Sequence, residues 1–286
     1  MSQERGQRFL TDLPAIQSDL PFAPDLLTRL FRLTDDQTDS PLAAIGAAIA
    51  EDQGLSIRLL ALANSAFYGL QSEIRSVGRA VAVLGLREVR ALVLALGIRG
   101  LAARRALPAG FDLTVHLEHQ LAVAVAAMAL ARETGAMDPD DAFTAGVLHD
   151  LGKLLTALYR PDDWLAEQAL VAARNLPWHE AEDLHMGLDH GLIGAMALRS
   201  WNLPEALTEP VNWHHAPQAA PGRPEPARLL CLADACAREI SGTTEPGILP
   251  TKAMALGIGL SPAAALDLAA AALAERNPAL LAAALA

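Results

Sequence analysis

Apolar residues recur three and four positions apart along almost all of this chain, and runs that alternate in twos with β-branched residues are nearly absent. A period near 3.6 buries one face of a helix, whereas a half-buried strand needs a period of two. Alanine and leucine carry most of the pattern, and aromatics are few. Both are strong helix formers, and alanine lets neighbouring helices come close. The expected fold is all-α, a two-lobed helical bundle with no sheet. At 286 residues the chain can bury a large core.

Start and stop signals divide it. Ser40 with Pro41 is an N-cap followed by proline at the first helical position, and Leu42, Ile45 and Ile49 follow at helical spacing. Leu55, Leu59 and Leu62 share a face, with Gly69 as a stop. Gly85 separates helices over 76–84 and 86–103. RALPAGFD, 105–112, is the first clear break. It divides an N-terminal helical lobe, 12–105, from a second lobe, 106–240. There Leu117, Leu121, Val125 and Met128 form a stripe ending near Gly135, and Asp138 with Pro139 starts a helix running into His149. Further helices are expected over 161–174, 178–185, 189–201, 204–214 and 227–240, with the proline-rich 216–226 as a surface loop. Residues 1–11 are expected to be flexible, and 241–286 to form a helical C-terminal extension.

Lysine and arginine number 22 against 33 acids, a net charge of −11. Such a chain repels polyphosphate overall. The local exception is Arg87, Arg90, Arg99, Arg104 and Arg105, which reads as a solvated helix face, with nucleic-acid binding as the lesser alternative. Cys231 and Cys236 form no disulfide framework, which fits a reducing cytoplasmic compartment. The start, MSQERGQRF, lacks the apolar core of a secretory signal, and no uninterrupted apolar run has the length of a membrane span. A soluble cytoplasmic protein without membrane insertion is expected.

All eight histidines lie between His116 and His215. In AGVLHDLGK, 145–153, His149 and Asp150 stand side by side at the end of an apolar run. Neighbours on a helix point well apart, so such a pair can face one ion only near a helix end. Gly152 would loosen the helix there, and Lys153 could set a positive charge against a phosphate oxygen. Taken alone, a His-Asp pair reads as a polar helix end. Its weight comes from residues that could join it. His119 starts an amphipathic helix, His190 starts another, and His214 and His215 close a third. Asp234 lies among apolar neighbours in LADACA, where a buried carboxylate needs a partner. Imidazole and carboxylate suit Zn, Fe, Mn and related ions, and a helical bundle can enclose them. His116 is the alternative to His119, and His179 and His185 are expected at the surface.

The order His119, His149–Asp150, His190, His214–His215, Asp234 resembles the metal-ligand series of the HD phosphohydrolase superfamily. The resemblance implies one divalent ion on His119, His149, Asp150 and Asp234, and a second on His190, His214 and His215, with Fe, Mn, Ni or Zn as the metal. For an enzyme it implies catalytic roles for Asp150, bridging the ions and orienting water, and for Lys153, steadying a phosphate.

The first half narrows the family. LSIRLLALANSAFYGL (55–70) and IRSVGRAVAVLGLREVRALVLALG (74–97) resemble the HDOD family, the HD-related output domain of bacterial signalling proteins. DAFTAGVLHDLGKLL, LDHGLIGAMALRSWNLPEAL and VNWHHAP in the second half agree, and the likeness covers residues 12–240. Within LANSAFYG, Leu62 and Phe67 can pack inward while Asn64 and Ser65 satisfy backbone groups; ligand contact by Asn64 and Tyr68 is the alternative.

The HDOD resemblance implies a regulatory protein acting through protein–protein contact with a signalling partner. Many members have lost metal ligands, whereas this chain keeps a full set. After His215 comes APQAAPGRP, without the acidic, aromatic and glycine-rich segment of the HD-GYP cyclic-dinucleotide phosphodiesterases, so their reaction is not expected. Two functions stand side by side: a signalling protein with an HD-like metal site, and a metal-dependent phosphohydrolase acting on a phosphodiester or nucleotide.

Overall fold

Capping residues mark the helix ends in the computed structural model, which describes residues 2–18, 42–64, 73–103, 105–243 and 257–275. In chain order the helices are α1 (Ser2–Ser18), α2 (Leu42–Ala50), α3 (Gln53–Ala63), α4 (Val77–Ala102) and α5 (Leu113–Thr134). Then come α6 (Pro139–Leu148), α7 (Leu151–Tyr159), α8 (Pro161–Arg174), α9 (Trp178–His185) and α10 (His190–Ser200). The last are α11 (Glu205–Trp213), α12 (Pro224–Ser241) and α13 (Pro262–Glu275). Among the described residues there is no strand.

Asp112 accepts hydrogen bonds from the backbone N–H groups of Thr114 and Val115 and so starts α5, which Gly135 ends in the left-handed conformation. Asp138 does the same for Asp140 and Asp141, with Pro139 at the first position of α6. Gly85 divides the α4 run into two helices at a tight kink, as expected: it leaves the helical region at φ 77° and ψ 165°, angles that a residue with a Cβ rarely adopts.

Helices α2, α3 and α4 pack on one another as the first lobe, and α4 joins it to α6 and α7. Asn64 ties the end of α3 to Ile74: its side chain donates to the carbonyls of Leu60 and Ile74 and accepts from the Ile74 N–H. That is the backbone-satisfying role expected for it. The second lobe is wrapped on α5, which α6, α12 and α13 cover. Its buried alanines allow that approach, and Gly146 of α6 sits where a Cβ would collide with the backbone of Ala124. Of the described helices, α5 alone has the length and hydropathy of a membrane span, and it is a mostly buried core helix. One apolar core runs through both lobes, from Phe9 to Ala269.

The opening residues form α1, whose Phe9 and Ile16 are fully buried as it packs against α9 and α10. Several expectations are corrected. Residues 151–159, unassigned from sequence, are helix α7. Helix α12 starts inside the proline-rich stretch, since prolines in a first turn forfeit no helical hydrogen bond. His185 is not a surface residue: its ring meets Arg5 of α1 and Asp163 of α8. Arg105 lies over the ring of Tyr159, at 4.4 Å. Ser40, Pro41, Ser65, Phe67, Tyr68, Gly69 and Arg104, and the side chains of Leu62, Arg87 and Arg90, lie outside the described residues.

Candidate metal centre

The junction between α6 and α7 lets adjacent residues share a site. His149 keeps helical angles, Asp150 unwinds to φ −98° and ψ 12°, and α7 begins at the next residue. The break turns both side chains toward one place, where His149 Nε2 is 3.5 Å from Asp150 Oδ1. Gly152 has a different part from the one expected. It lies within α7, and a Cβ on it would collide with the His190 carbonyl, so it lets α10 come against α7. Gly194 of α10 faces the same glycine.

Five segments bring the seven candidate ligands together. His119 comes from α5, His149 and Asp150 from the junction, His190 from the start of α10, His214 and His215 from the end of α11, and Asp234 from α12. Donor atoms of His119, His149 and Asp150 lie within 4.8 Å of one another, as do those of His190, His214 and His215. Asp234 Oδ1 is 3.0 Å from His119 Nε2 and 3.9 Å from His149 Nε2, beside the first group. Asp150 stands between the groups, with Oδ1 3.0 Å from His190 Nε2 and Oδ2 3.8 Å from His119 Nε2.

Hydrogen bonds at the far side of the rings decide which nitrogens face inward. Nδ1 of His149 donates to the Gly146 carbonyl at 2.8 Å, and Nδ1 of His214 to the Val211 carbonyl at 2.7 Å. A carbonyl can only accept, so each neutral ring carries its proton on Nδ1 and turns the Nε2 lone pair inward. Both Nε2 atoms are buried and lack a hydrogen-bond partner among the described residues. That is how a metal-ligating histidine is held, its second nitrogen anchored behind it. His190 is held by Glu182, whose Oε2 accepts from both the His190 N–H and Nδ1. His190 Nε2 is then 3.0 Å from Asp150 and 2.7 Å from His215 Nε2, a crowding of lone pairs that only a proton or metal ion relieves. The donor set fits divalent ions.

Electrostatics keep the donors in ligand form. Burial pushes His149 down to about 4, against the pull of Asp150 and Asp234. Burial and neighbouring imidazoles hold His214 and His215 well below the ordinary histidine value. Burial would raise Asp150, but His149, Lys153 and His190 outweigh it and keep the carboxylate ionised. Asp234 is lowered in the same way, chiefly by Arg238 against burial. His190 is the exception: burial opposes its charge, yet Glu182 and Asp150 raise it to about 10.

Some residues around the ligands were not singled out from sequence. Lys153, which was, donates to Asp150 Oδ2 at 2.9 Å. Arg238 donates to Asp234 Oδ1 at 2.8 Å and lies 3.7 Å from Asp150 Oδ2. It follows Asp234 by four residues, a spacing that pairs side chains on one helix face and was legible in principle. Glu182 carried no such signal, because its partner lies on another helix. His179, expected at the surface, stacks on His215 with centroids 4.2 Å apart. His116 does not replace His119; it packs on Phe111 and lines a pocket, and burial pushes it down to about 3.

The profile of the HDOD domain matches residues 20–217. An uncharacterized protein of Treponema pallidum (strain Nichols) is 29% identical over 229 residues, 79% of this chain, and the chain spans 44% of that relative's length. A solved structure from Shewanella amazonensis SB2B, provisionally named a phosphohydrolase, is similar at TM-score 0.74 and 26% identity over 97% of this chain and 98% of its own. An HDOD domain protein of unknown function from Geobacter sulfurreducens is similar at TM-score 0.73 and 21% identity, over 96% and 98%. A protein from Marinobacter aquaeolei VT8, provisionally named for signal transduction, reaches TM-score 0.79 at 19% identity, over 100% and 66%. The last two likenesses are of fold.

Proposed function

Since the chain belongs to the HDOD family, we propose that it is a cytoplasmic regulatory protein of bacterial signal transduction that acts by contact with a protein partner and keeps a divalent-metal centre in its second lobe. Family membership supports the signalling half of this reading. The metal half is carried by one observation, the buried inward Nε2 atoms of His149 and His214 beside the carboxylates of Asp150 and Asp234. His119, His149, Asp150 and Asp234 would hold one ion, and His190, His214 and His215 a second. Metal binding would also contribute to the stability of this lobe.

A second reading, a metal-dependent phosphohydrolase, is favoured by the pocket that reaches His119, Asp150, Lys153 and Arg238. The Shewanella amazonensis neighbour's provisional name points the same way. Bound ions there would supply Lewis acidity and a more acidic water. Asp150, between the two donor groups, would orient the attacking water, and Lys153 would hold a phosphate oxygen.

Elemental analysis of protein purified without chelator tests the proposal. One or two equivalents of Fe, Mn, Ni or Zn are expected, falling in His149→Ala and Asp150→Ala; a metal-free wild type overturns the metal half. Affinity capture with the wild-type chain tests the signalling half, and recovery of no saturable protein partner overturns it. On a panel of phosphodiesters and nucleotides, a saturable rate lost in Asp150→Ala establishes the second reading, and metal-loaded protein without turnover removes it.

A further inference from the structure

The pocket beside the metal centre has a charged inner end and an apolar body. Its volume is about 520 Å³, within the range of small-molecule sites. At the inner end, two fixed cations lie over two carboxylates: Lys153 on Asp150, and Arg238 on Asp234. These four charges balance, and Glu118 and Asp112 elsewhere in the lining are acidic, so it is the two divalent ions held by the ligands that would leave positive charge at the inner end. An anion is what that end would take.

The walls restrict what else the anion carries. Phe111 packs with His116 and Trp164, at ring-centroid distances of 5.2 and 5.6 Å, to make one aromatic corner. Ile240 and Leu273 line the pocket as well. Away from the inner end the polar side chains along the walls are few: Glu118, Ser241 and Thr243, and Asp112, whose side chain is engaged in capping α5. A ligand with a heavily hydrated body would lose water there without replacement partners. Ile240 and Leu273 belong to α12 and α13, beyond residue 217 where the family match ends, so part of this wall lies outside the matched HDOD segment.

We propose that this pocket binds an organic phosphate monoester with a flat apolar body, its phosphate at Lys153 and Arg238 and its ring against Phe111 and Trp164. A monoester fits because only one end of the pocket is cationic. The inference rests on the metal reading of the centre, which supplies the excess positive charge.

The test is calorimetric titration of the full chain, of measured metal content, with 1-naphthylmethylphosphonate, which cannot be hydrolysed. Inorganic phosphate and 1-naphthalenemethanol serve as the head-only and body-only probes. The phosphonate should bind at least about tenfold more tightly than either. Ile240→Glu places a negative charge on the wall without touching a ligand residue; it should weaken the phosphonate at least about tenfold and leave metal content unchanged. Leu165→Glu, on an exposed residue outside the pocket lining, should bind as the wild type does. Protein that holds metal yet binds phosphonate and phosphate alike overturns the inference and leaves the metal reading intact. So does Ile240→Glu that binds like the wild type. Protein without metal that binds no phosphonate overturns both.

Discussion

Gly152 of α7 lies against the backbone of His190 in α10 so closely that a Cβ at Gly152 would collide with the His190 carbonyl oxygen. Nothing flexible is there to yield, because the obstacle is backbone. Asp150 and His190, 3.0 Å apart, sit at the ends of these two helices. Gly152→Ala is therefore expected to push α7 and α10 apart, costing about 1–3 kcal/mol or more. Thermal melting should show the loss, and elemental analysis should show less metal. Wild-type stability in this variant would mean that the helices do not need the close approach.

Glu182 is buried and takes two hydrogen bonds from His190 on one oxygen. Glu182→Gln keeps the size and an acceptor but removes the charge behind the imidazole. Metal affinity is expected to fall about 10–100-fold, the usual effect of losing a partner behind a ligand. Competition against a chromophoric chelator measures this, and unchanged affinity would leave Glu182 a packing residue only.

Glu167 is buried with neither carboxylate oxygen hydrogen-bonded among the described residues. Burial pushes its pKa up to about 9, with help from Glu182 and Asp163. The folded state thus keeps the proton while the unfolded chain loses it near the ordinary value of 4.5. The stability associated with the protonated group is complete below that value and is lost as pH rises toward 9. Glu167→Gln removes the slope, so the variant should gain on the wild type by at least about 1 kcal/mol between mildly acidic and mildly alkaline pH. Urea unfolding at both ends of that window checks it, and parallel pH profiles would show that Glu167 is ionised in the fold.

Phe9 is fully buried on α1. Phe9→Ala is expected to destabilise by about 3–5 kcal/mol, as for other buried aromatics. If chemical unfolding finds no change, α1 does not dock as described.

Chemistry and order of the site were legible in the sequence, whereas its contacts were not. Helical periodicity is a local property, so the all-α class, the cap at Asp138 and the break at Gly85 follow from neighbours in the chain. The seven candidate ligands could be named because their residue types and order resemble a known series. What placed them within reach of one another is packing between helices far apart in sequence. Small residues such as Gly146 and Gly152 set how closely α5 and α6, or α7 and α10, approach. The same packing decided that Glu182 stands behind His190, that His179 stacks on His215, and that Arg238 and Leu273 border one pocket. Spacing along a helix predicts which face a residue occupies, but not which other helix that face will meet. The sequence by itself determined the helices and the donors; the tertiary structure alone decided the distances between donors and the shape of the space beside them.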